Sequence, residues 1–278
     1  MKPLTIGFSP CPNDTFIFNR LVHKSSPPGG PLFQSPFLED VETLNQWAFE
    51  HRLDVTKLSY HAAAHLLGEY CVLPSGGALG RGCGPLLVAR DDMSFSDLAG
   101  KRIAIPGKYT TAALLFRMFL PECTDLVEMR FEQIMDAVRN GEVNGGVIIH
   151  ESRFTYQAHG LKCLQDLGQW WENISGMPIP LGCIAARRSL GFHLLAEIDS
   201  QIKASLNWAY SNRAEGLVYI NKHAQETEED VIQSHINLYV NEFSYDLGDE
   251  GRLAVEAFFS RAREETILPE SSQNTFCL

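Results

Sequence analysis

The chain has 278 residues, 45% of them hydrophobic and 21% charged, a composition typical of a globular protein with room for two lobes. With 23 Lys and Arg against 34 Asp and Glu, the net charge is -11. This charge disfavours nucleic acid and anionic membranes as partners but leaves a small anionic substrate open. No signal-peptide pattern begins the chain and no apolar run approaches about 18 residues, so we expect no membrane span and a cytoplasmic location.

The first half of the chain alternates short apolar runs with helical patterns. Strands are predicted over residues 4–8, 53–58, 85–89, 101–105 and 126–130, and helices over 15–22, 41–50, 60–67, 111–120 and 132–140. The segment 25–36 is rich in Pro, Gly and Ser and predicts a surface loop. After residue 189 the pattern becomes mostly amphipathic helix, over residues 194–210, 214–223, 228–241 and 250–263.

This alternation predicts an α/β protein with mostly parallel strands. Periodicity alone leaves two architectures open. The strands could form one sheet, or they could form two lobes joined by crossings near residues 89–100 and 182–188.

A histidine stands at the predicted end of one buried strand. The apolar run Gly146–Ile149 is followed directly by His150, and ligands of open α/β sheets bind outside the carboxyl ends of strands. Imidazole can exchange a proton near neutral pH, so His150 is the first candidate for chemistry. The alternative is a structural histidine hydrogen-bonded to backbone. Because adjacent strand residues face opposite ways, we expect Glu151 to act elsewhere, at a hinge or in a salt bridge.

Polar residues also follow three other predicted strands, at 9–15, 57–60 and 106–111. Each set lies at a helix amino terminus, where unpaired N–H groups and the helix dipole favour an anion. The alternative is ordinary N-capping by Asp14, Ser59 and Thr110. Three such helix starts together with a strand-end histidine favour an anion-binding cleft.

The seven cysteines are scattered, odd in number and without a C-x-x-C pair. This pattern predicts reduced thiols, with neither a disulfide framework nor a zinc site. Cys11, between two prolines, could be a nucleophile but is more typical of inert packing. His61 and His65 could share a metal on one helix face, but no third ligand accompanies them, so we expect no metal.

The segment 75–84 is rich in glycine but matches neither the dinucleotide-binding nor the phosphate-loop motif, so no nucleotide cofactor is expected. Its glycines could allow close backbone approach to a ligand, bends beside a hinge, or a mobile surface loop. Trp170 and Trp171 could wall an aromatic ligand, but adjacent tryptophans are more often the core and rim of one packing site.

Five segments, in order along nearly the whole chain, resemble the 1,4-dihydroxy-6-naphthoate synthase family of the futalosine route to menaquinone. They are Ser9–Phe16, Leu38–Leu44, Thr56–Tyr60, Ser75–Gly82 and Val147–Tyr156.

The resemblance implies a two-lobed, type 2 periplasmic-binding-protein-like fold with the ligand in the cleft between the lobes. We expect residues 1–90 and 187–278 in one lobe and 91–186 in the other. It also implies cleavage of cyclic dehypoxanthine futalosine to 1,4-dihydroxy-6-naphthoate and dihydroxyacetone, without metal or organic cofactor. His150 matches the family's catalytic histidine, the expected general base. The substrate-contacting positions match Lys57, Leu58, Ser59, Thr110 and Thr111.

Three alternatives share this fold. A transport solute-binding protein would need a signal peptide or lipid anchor, and a regulatory effector-binding domain would need an attached DNA-binding helix-turn-helix. Neither is apparent in the sequence. The third is the chorismate dehydratase of the same pathway, and the segment around His150 argues against it. The sequence carries no prediction of the oligomeric state.

Overall fold

The computed structural model describes residues 2–23, 30–224 and 228–278. Residues 25–29 of the predicted loop at 25–36 lie outside this part of the chain. Within it the strands form two separate sheets, which answers the question that periodicity left open. Each sheet with the helices packed on it is called a lobe below.

The first sheet consists of β1 (Ile6–Phe8), β2 (Phe37–Leu38), β3 (Val55–Ser59), β4 (Tyr70–Val72), β5 (Ala78–Gly80) and β11 (Ile179–Arg187). The strand order is β2-β1-β3-β11-β4, and β5 also pairs with β11. Strand β1 is parallel to β2 and β3. Strand β11 is antiparallel to β3, β4 and β5.

The second sheet consists of β6 (Leu86–Arg90), β7 (Ile103–Ile105), β8 (Leu126–Glu128), β9 (Gly145–Ile148) and β10 (Leu161–Asp166). The strand order is β10-β6-β9-β7-β8. Strand β7 is parallel to β8 and β9, whereas β6 is antiparallel to β9 and β10.

The sheets are therefore mixed, and the prediction of mostly parallel strands holds only where a strand follows a helix of its own lobe. Every antiparallel pair between named strands includes β6 or β11. The chain reaches each of these two strands from a strand of the other sheet, β6 from β5 and β11 from β10 by way of α7. At these two entries there is thus no strand–helix–strand unit within one sheet, the unit that makes neighbours parallel.

The same two strands locate the passages between lobes. The chain leaves the first sheet after Gly80 and enters the second at Leu86, and it returns between Asp166 and Ile179. The predicted boundaries at 90–91 and 186–187 fall at the far ends of β6 and β11. The assignment of residues 1–90 and 187–278 to one lobe and of 91–186 to the other stays a prediction.

The helices of the described residues cover the sheets. They are α1 (Pro12–His23), α2 (Val41–Phe49), α3 (Tyr60–His65), α4 (Thr111–Phe119), α5 (Phe131–Arg139), α6 (Ser152–Thr155), α7 (Leu167–Ser175), α8 (Phe192–Ser211), α9 (Arg213–His223), α10 (Glu229–Tyr239), α11 (Glu242–Tyr245) and α12 (Gly248–Glu264). The helical carboxyl-terminal part is as predicted. Helices α8, α9 and α10 pack on α1 in the first lobe.

Apolar side chains on facing elements pack both within each lobe and between the lobes. In the first lobe, the rings of Phe8 on β1 and Phe18 on α1 stack 4.7 Å apart. Trp171 on α7 packs edge-on to Phe258 on α12 at 5.1 Å and is fully buried, while Trp170 is partly exposed. The two tryptophans therefore have the predicted core and rim roles. Burying one such side chain contributes about 1.5–3 kcal/mol.

A disulfide joins Cys71 on β4 to Cys277 near the carboxyl terminus. The tail lies along β4, with the Val72 N–H donating to the Thr275 carbonyl at 2.9 Å and the Cys277 N–H donating to the Val72 carbonyl at 3.1 Å. The prediction of no disulfide is therefore wrong. Local spacing says nothing about two cysteines 206 residues apart that only the fold brings together.

Most of the glycine-rich segment 75–84 is buried structure and not a surface loop, and only Arg81 and Gly82 are exposed. Its residues 78–80 form β5, which pairs with β11. Gly76 has φ +81°, and a Cβ there would lie 2.6 Å from Ile184 Cγ1, so both the conformation and the contact require glycine. The segment thus brings β5 tightly against β11 just before the first passage between lobes.

Candidate active site

A cavity opens between the two lobes and is lined from both; together with the part open to solvent, its space is about 630 Å³. Its polar lining comes from loops and strand ends of both sheets: Ser9, Asn13, Asp14, Lys57, Ser59, Thr110, Thr111 and His150. Most of the remaining lining is apolar, and this is the usual composition of a small-molecule site.

The structure brings five of the six predicted site residues to this cavity: His150, Lys57, Ser59, Thr110 and Thr111. Leu58 is the exception. Its side chain is fully buried in the core, because alternation along β3 turns it away from the face that carries Lys57 and Ser59. From this position only the backbone of Leu58 is available to a ligand.

His150 lies just past the end of β9, in an unusual backbone conformation. The strand ends at Ile148, and His150 has φ +56°, in the left-handed region that non-glycine residues rarely adopt. This turn carries the imidazole to the cavity wall, 5.0 Å from the ring of Phe131 and stacked 6.1 Å from that of His235. Burial lowers the pKa of His150 to about 4, so the ring is neutral at pH 7.

Glu151 lies beside His150, contrary to the sequence expectation. Ligand-forming side-chain atoms of Cys11, His150 and Glu151 all lie within 4.8 Å of one another. The expectation rested on strand alternation, which stops at Ile148. Because His150 is left-handed and Glu151 is helical, consecutive side chains no longer alternate between two faces. Glu151 therefore belongs to the surroundings of the candidate base.

Lys57 reaches the cavity paired with a buried carboxylate. Its Nζ donates to Asp14 Oδ1 at 2.5 Å, and both side chains are almost fully buried. Asp14 also accepts hydrogen bonds from the backbone and hydroxyl of Ser9 and from the amide of Asn13. The expected anion site at residues 9–15 is thus occupied by the protein's own carboxylate. An ammonium has three donors, so up to two remain on Lys57 for a ligand.

The amino terminus of α4 is the clearest candidate for an anion site in the cavity. Thr110 caps the helix, its hydroxyl accepting the Ala113 N–H at 3.2 Å and donating to the Gly107 carbonyl. The Thr111 hydroxyl donates to the Leu181 carbonyl at 2.6 Å. Among the described residues, no protein acceptor takes the backbone N–H of Thr111 or of Ala112. Both predictions for Thr110, capping and anion binding, are thus compatible.

Sequence reasoning missed His235, which lies on α10 behind the candidate base. It is fully buried, and its Nε2 is 2.9 Å from Asn13 Oδ1. Its Nδ1 is 4.0 Å from a Glu151 oxygen. Burial lowers the pKa of His235 well below its usual range, and the nearby His150 and Lys57 act in the same direction. The sequence shows His235 on the apolar face of an amphipathic helix. A histidine in such a position is usually part of the packed core and does not by itself indicate a functional site.

Two alternatives raised by the sequence, a nucleophilic Cys11 and a metal shared by His61 and His65, gain no support. Burial raises the pKa of the Cys11 thiol well above its usual range, so Cys11 is protonated at neutral pH and poorly suited to nucleophilic attack. The His61 ring nitrogen Nδ1 lies 3.1 Å from the Thr110 carbonyl and is engaged there. The absence of a metal stays a prediction.

A family model described as menaquinone biosynthesis matches residues 4–264 of the chain. The chain belongs to this family. A relative from Thermus thermophilus, named 1,4-dihydroxy-6-naphtoate synthase, is 48% identical over 99% of this chain and 100% of its own length. One of the same name from Streptomyces coelicolor is 44% identical over 96% and 95%. The predicted membership of an enzyme family of menaquinone biosynthesis is confirmed.

Structural similarity extends beyond the family. The ligand-binding component of an ABC-type import system from Staphylococcus aureus, solved with zinc bound, has a TM-score of 0.70 at 13% identity, covering 99% of this chain and 96% of its own. This similarity confirms the periplasmic-binding-protein-like fold and carries no information on function. In the described part of the chain, no helix combines the length and apolar character needed to cross a membrane.

Proposed function

We propose that this family member is a 1,4-dihydroxy-6-naphthoate synthase that cleaves cyclic dehypoxanthine futalosine, releases dihydroxyacetone and uses His150 as its general base. The observation that carries the proposal is the cavity itself. A neutral histidine and the open amino terminus of α4 line it from the second lobe, and Lys57 and Ser59 line it from the first. Relatives at 48% and 44% identity bear the name of this activity.

His150 supplies the base. Cleavage of a C–C bond beside a carbonyl requires removal of a substrate proton while the bonding electrons move toward the carbonyl oxygen. A neutral imidazole has the lone pair for this step, and such a base typically contributes about 10²–10⁴-fold. A negative charge that develops beside His150 stabilises its protonated form, so its pKa rises as the proton arrives. Aromatisation of the naphthoate ring then draws the reaction forward.

The other cavity residues hold the anionic groups. The N–H groups of Thr111 and Ala112 at the start of α4 suit a carboxylate, because the helix dipole and two aligned donors act together. Lys57 provides a cationic donor on the opposite wall, and Ser59 a hydroxyl. These groups belong to different lobes, so closure of the lobes on the substrate would assemble them and exclude water from the reacting atoms.

The direct test is to incubate the purified protein with cyclic dehypoxanthine futalosine and follow naphthoate absorbance, with dihydroxyacetone measured separately. The proposal requires both products in equal amounts, without added metal or organic cofactor. Tight binding with no turnover would instead indicate a solute- or effector-binding protein. The substrate identity, the cofactor independence and the cytoplasmic location remain predictions until such measurements are made.

A further inference from the structure

Glu42, on the first turn of α2, is a buried carboxylate that the sequence did not single out. Helix α2 packs on β1 and β3 of the first lobe. Both oxygens of Glu42 nevertheless accept the backbone N–H of Tyr109, at 3.1 and 3.3 Å. Tyr109 lies in the loop between β7 and α4 of the second lobe. A single carboxylate thus links α2 of the first lobe to the loop before α4 in the second.

The same carboxylate is linked to the opposite wall. Glu42 Oε2 accepts a hydrogen bond from Asn45 Nδ2 at 3.1 Å. Asn45 in turn holds Ser59 twice, accepting its backbone N–H at 2.9 Å and donating to its hydroxyl oxygen at 3.2 Å. All three side chains are buried. A continuous chain of hydrogen bonds therefore runs from Ser59 of the first lobe to the loop that begins α4.

The loop is shaped to receive Glu42. Gly107 has φ +145°, and a Cβ at that position would lie 2.3 Å from Glu42 Cγ and 2.6 Å from Glu42 Cβ. Only glycine lets the backbone approach so closely. The loop therefore lies directly on the Glu42 side chain, and two residues after Tyr109 the open N–H groups of α4 begin.

We propose that Glu42 is a positioning residue that sets the distance between Ser59 and the amino terminus of α4. It acts through Asn45 on one side and through the Tyr109 N–H on the other, and it does not itself touch substrate. This inference rests on the proposed function, because Ser59 and α4 matter as the two walls of that substrate site. Burial raises the pKa of Glu42 to about 7, which shows how strongly the side chain is withdrawn from water.

Glu42→Ala, Glu42→Gln and Glu128→Ala test the proposal. Glu128 is the control, because its exposed carboxylate accepts the N–H of Lys108, in the same loop as Tyr109, at 3.1 Å, a hydrogen bond within the second lobe. Loss of the buried hydrogen bonds to Tyr109 and Asn45 should raise KM for cyclic dehypoxanthine futalosine about tenfold or more in Glu42→Ala, with kcat within about threefold. Glu42→Gln should recover part of this loss, since its amide oxygen can still accept the Tyr109 N–H. Glu128→Ala should leave KM unchanged.

Amide hydrogen exchange of the free protein gives a second reading that needs no substrate. In Glu42→Gln, and in Glu42→Ala if it folds, exchange should become faster at both Tyr109 and Ser59. In Glu128→Ala, the exchange rate at Ser59 should stay that of the parent. An unchanged KM in Glu42→Ala, or faster exchange at Tyr109 alone, would overturn the proposal. Absence of turnover by the unmodified protein would refute the proposed function instead, and the exchange result would still decide whether Glu42 couples the two walls.

Discussion

Asp14→Asn is a demanding test of the cavity's electrostatics. The substitution keeps the size of the side chain but removes the charge that faces Lys57 at 2.5 Å. The two side chains are only 6% and 1% exposed, so water cannot replace the lost partner of Lys57. The ammonium would remain buried at the cavity wall without its counter-charge.

The expected loss in the free energy of unfolding follows from the four hydrogen bonds that Asp14 accepts. One oxygen takes the backbone and hydroxyl of Ser9, at 3.1 and 2.7 Å, and the other takes Asn13 and Lys57, at 2.9 and 2.5 Å. In asparagine one of these oxygens becomes an NH₂ group, so two donors lose their acceptor whichever way the amide turns. Breaking a buried ion pair by removing one partner costs about 3–5 kcal/mol. We therefore expect a loss of this size in the free energy of unfolding.

Urea unfolding, monitored by circular dichroism, measures the change in the free energy of unfolding. Glu50→Gln is the control, because Glu50 and Arg52 form an exposed pair at 3.7 Å, for which about 0–1 kcal/mol is expected. The double variant Asp14→Asn, Lys57→Met removes both charges and should regain part of the loss. If Asp14→Asn cost no more than Glu50→Gln, the Lys57–Asp14 pair would not be the buried, mutually dependent unit described above.

Three further predictions concern other parts of the fold. Because the folded-state pKa of His150 is about 4 against 6.5 for the free side chain, its contribution to stability is present above pH 6.5 and is lost as the pH falls toward 4. Urea midpoints at pH 7 and pH 5 should therefore differ less in His150→Asn than in the unmodified protein, and an equal difference would contradict an imidazole that is neutral in the folded state. Reduction of the Cys71–Cys277 disulfide should lower the free energy of unfolding by about 2–4 kcal/mol, whereas Cys71→Ser should be insensitive to dithiothreitol; an unmodified protein equally insensitive would argue against the bond. Gly84→Ala should destabilise by about 1–3 kcal/mol, since its Cβ would lie 2.2 Å from the Gly168 backbone, and a melting temperature unchanged from the parent would show that this contact is looser than described.

Local sequence signals located most of the site, because it is built from strand ends and helix starts. The strand before His150 and the helix start at Thr110 both have short-range signatures, apolar runs and capping residues, that survive in the fold. Lys57 and Ser59 could be placed on one wall by alternation along β3. The strand-end position already made His150 the first candidate among nine histidines, and the family resemblance added its role as the expected general base.

The features that sequence reasoning missed depend on long-range geometry. The position of Glu151 follows from the left-handed turn at His150, which no residue pattern announces. The contacts of His235 with Asn13, and of Cys71 with Cys277, join residues more than 200 positions apart. Strands β6 and β11 are each antiparallel to the neighbours in their own sheet. This orientation follows from where the chain changes lobes, which hydrophobic periodicity does not encode.

The most direct test of the central role of His150 compares His150→Asn with His193→Asn, whose side chain is 93% exposed on α8. Turnover of cyclic dehypoxanthine futalosine and its binding to each variant should be measured separately. With a general base worth about 10²–10⁴-fold, His150→Asn should lose turnover by at least a hundredfold while its Kd stays within a few-fold, and His193→Asn should match the parent. A rate for His150→Asn within a few-fold of the parent would contradict the assignment of His150 as the base.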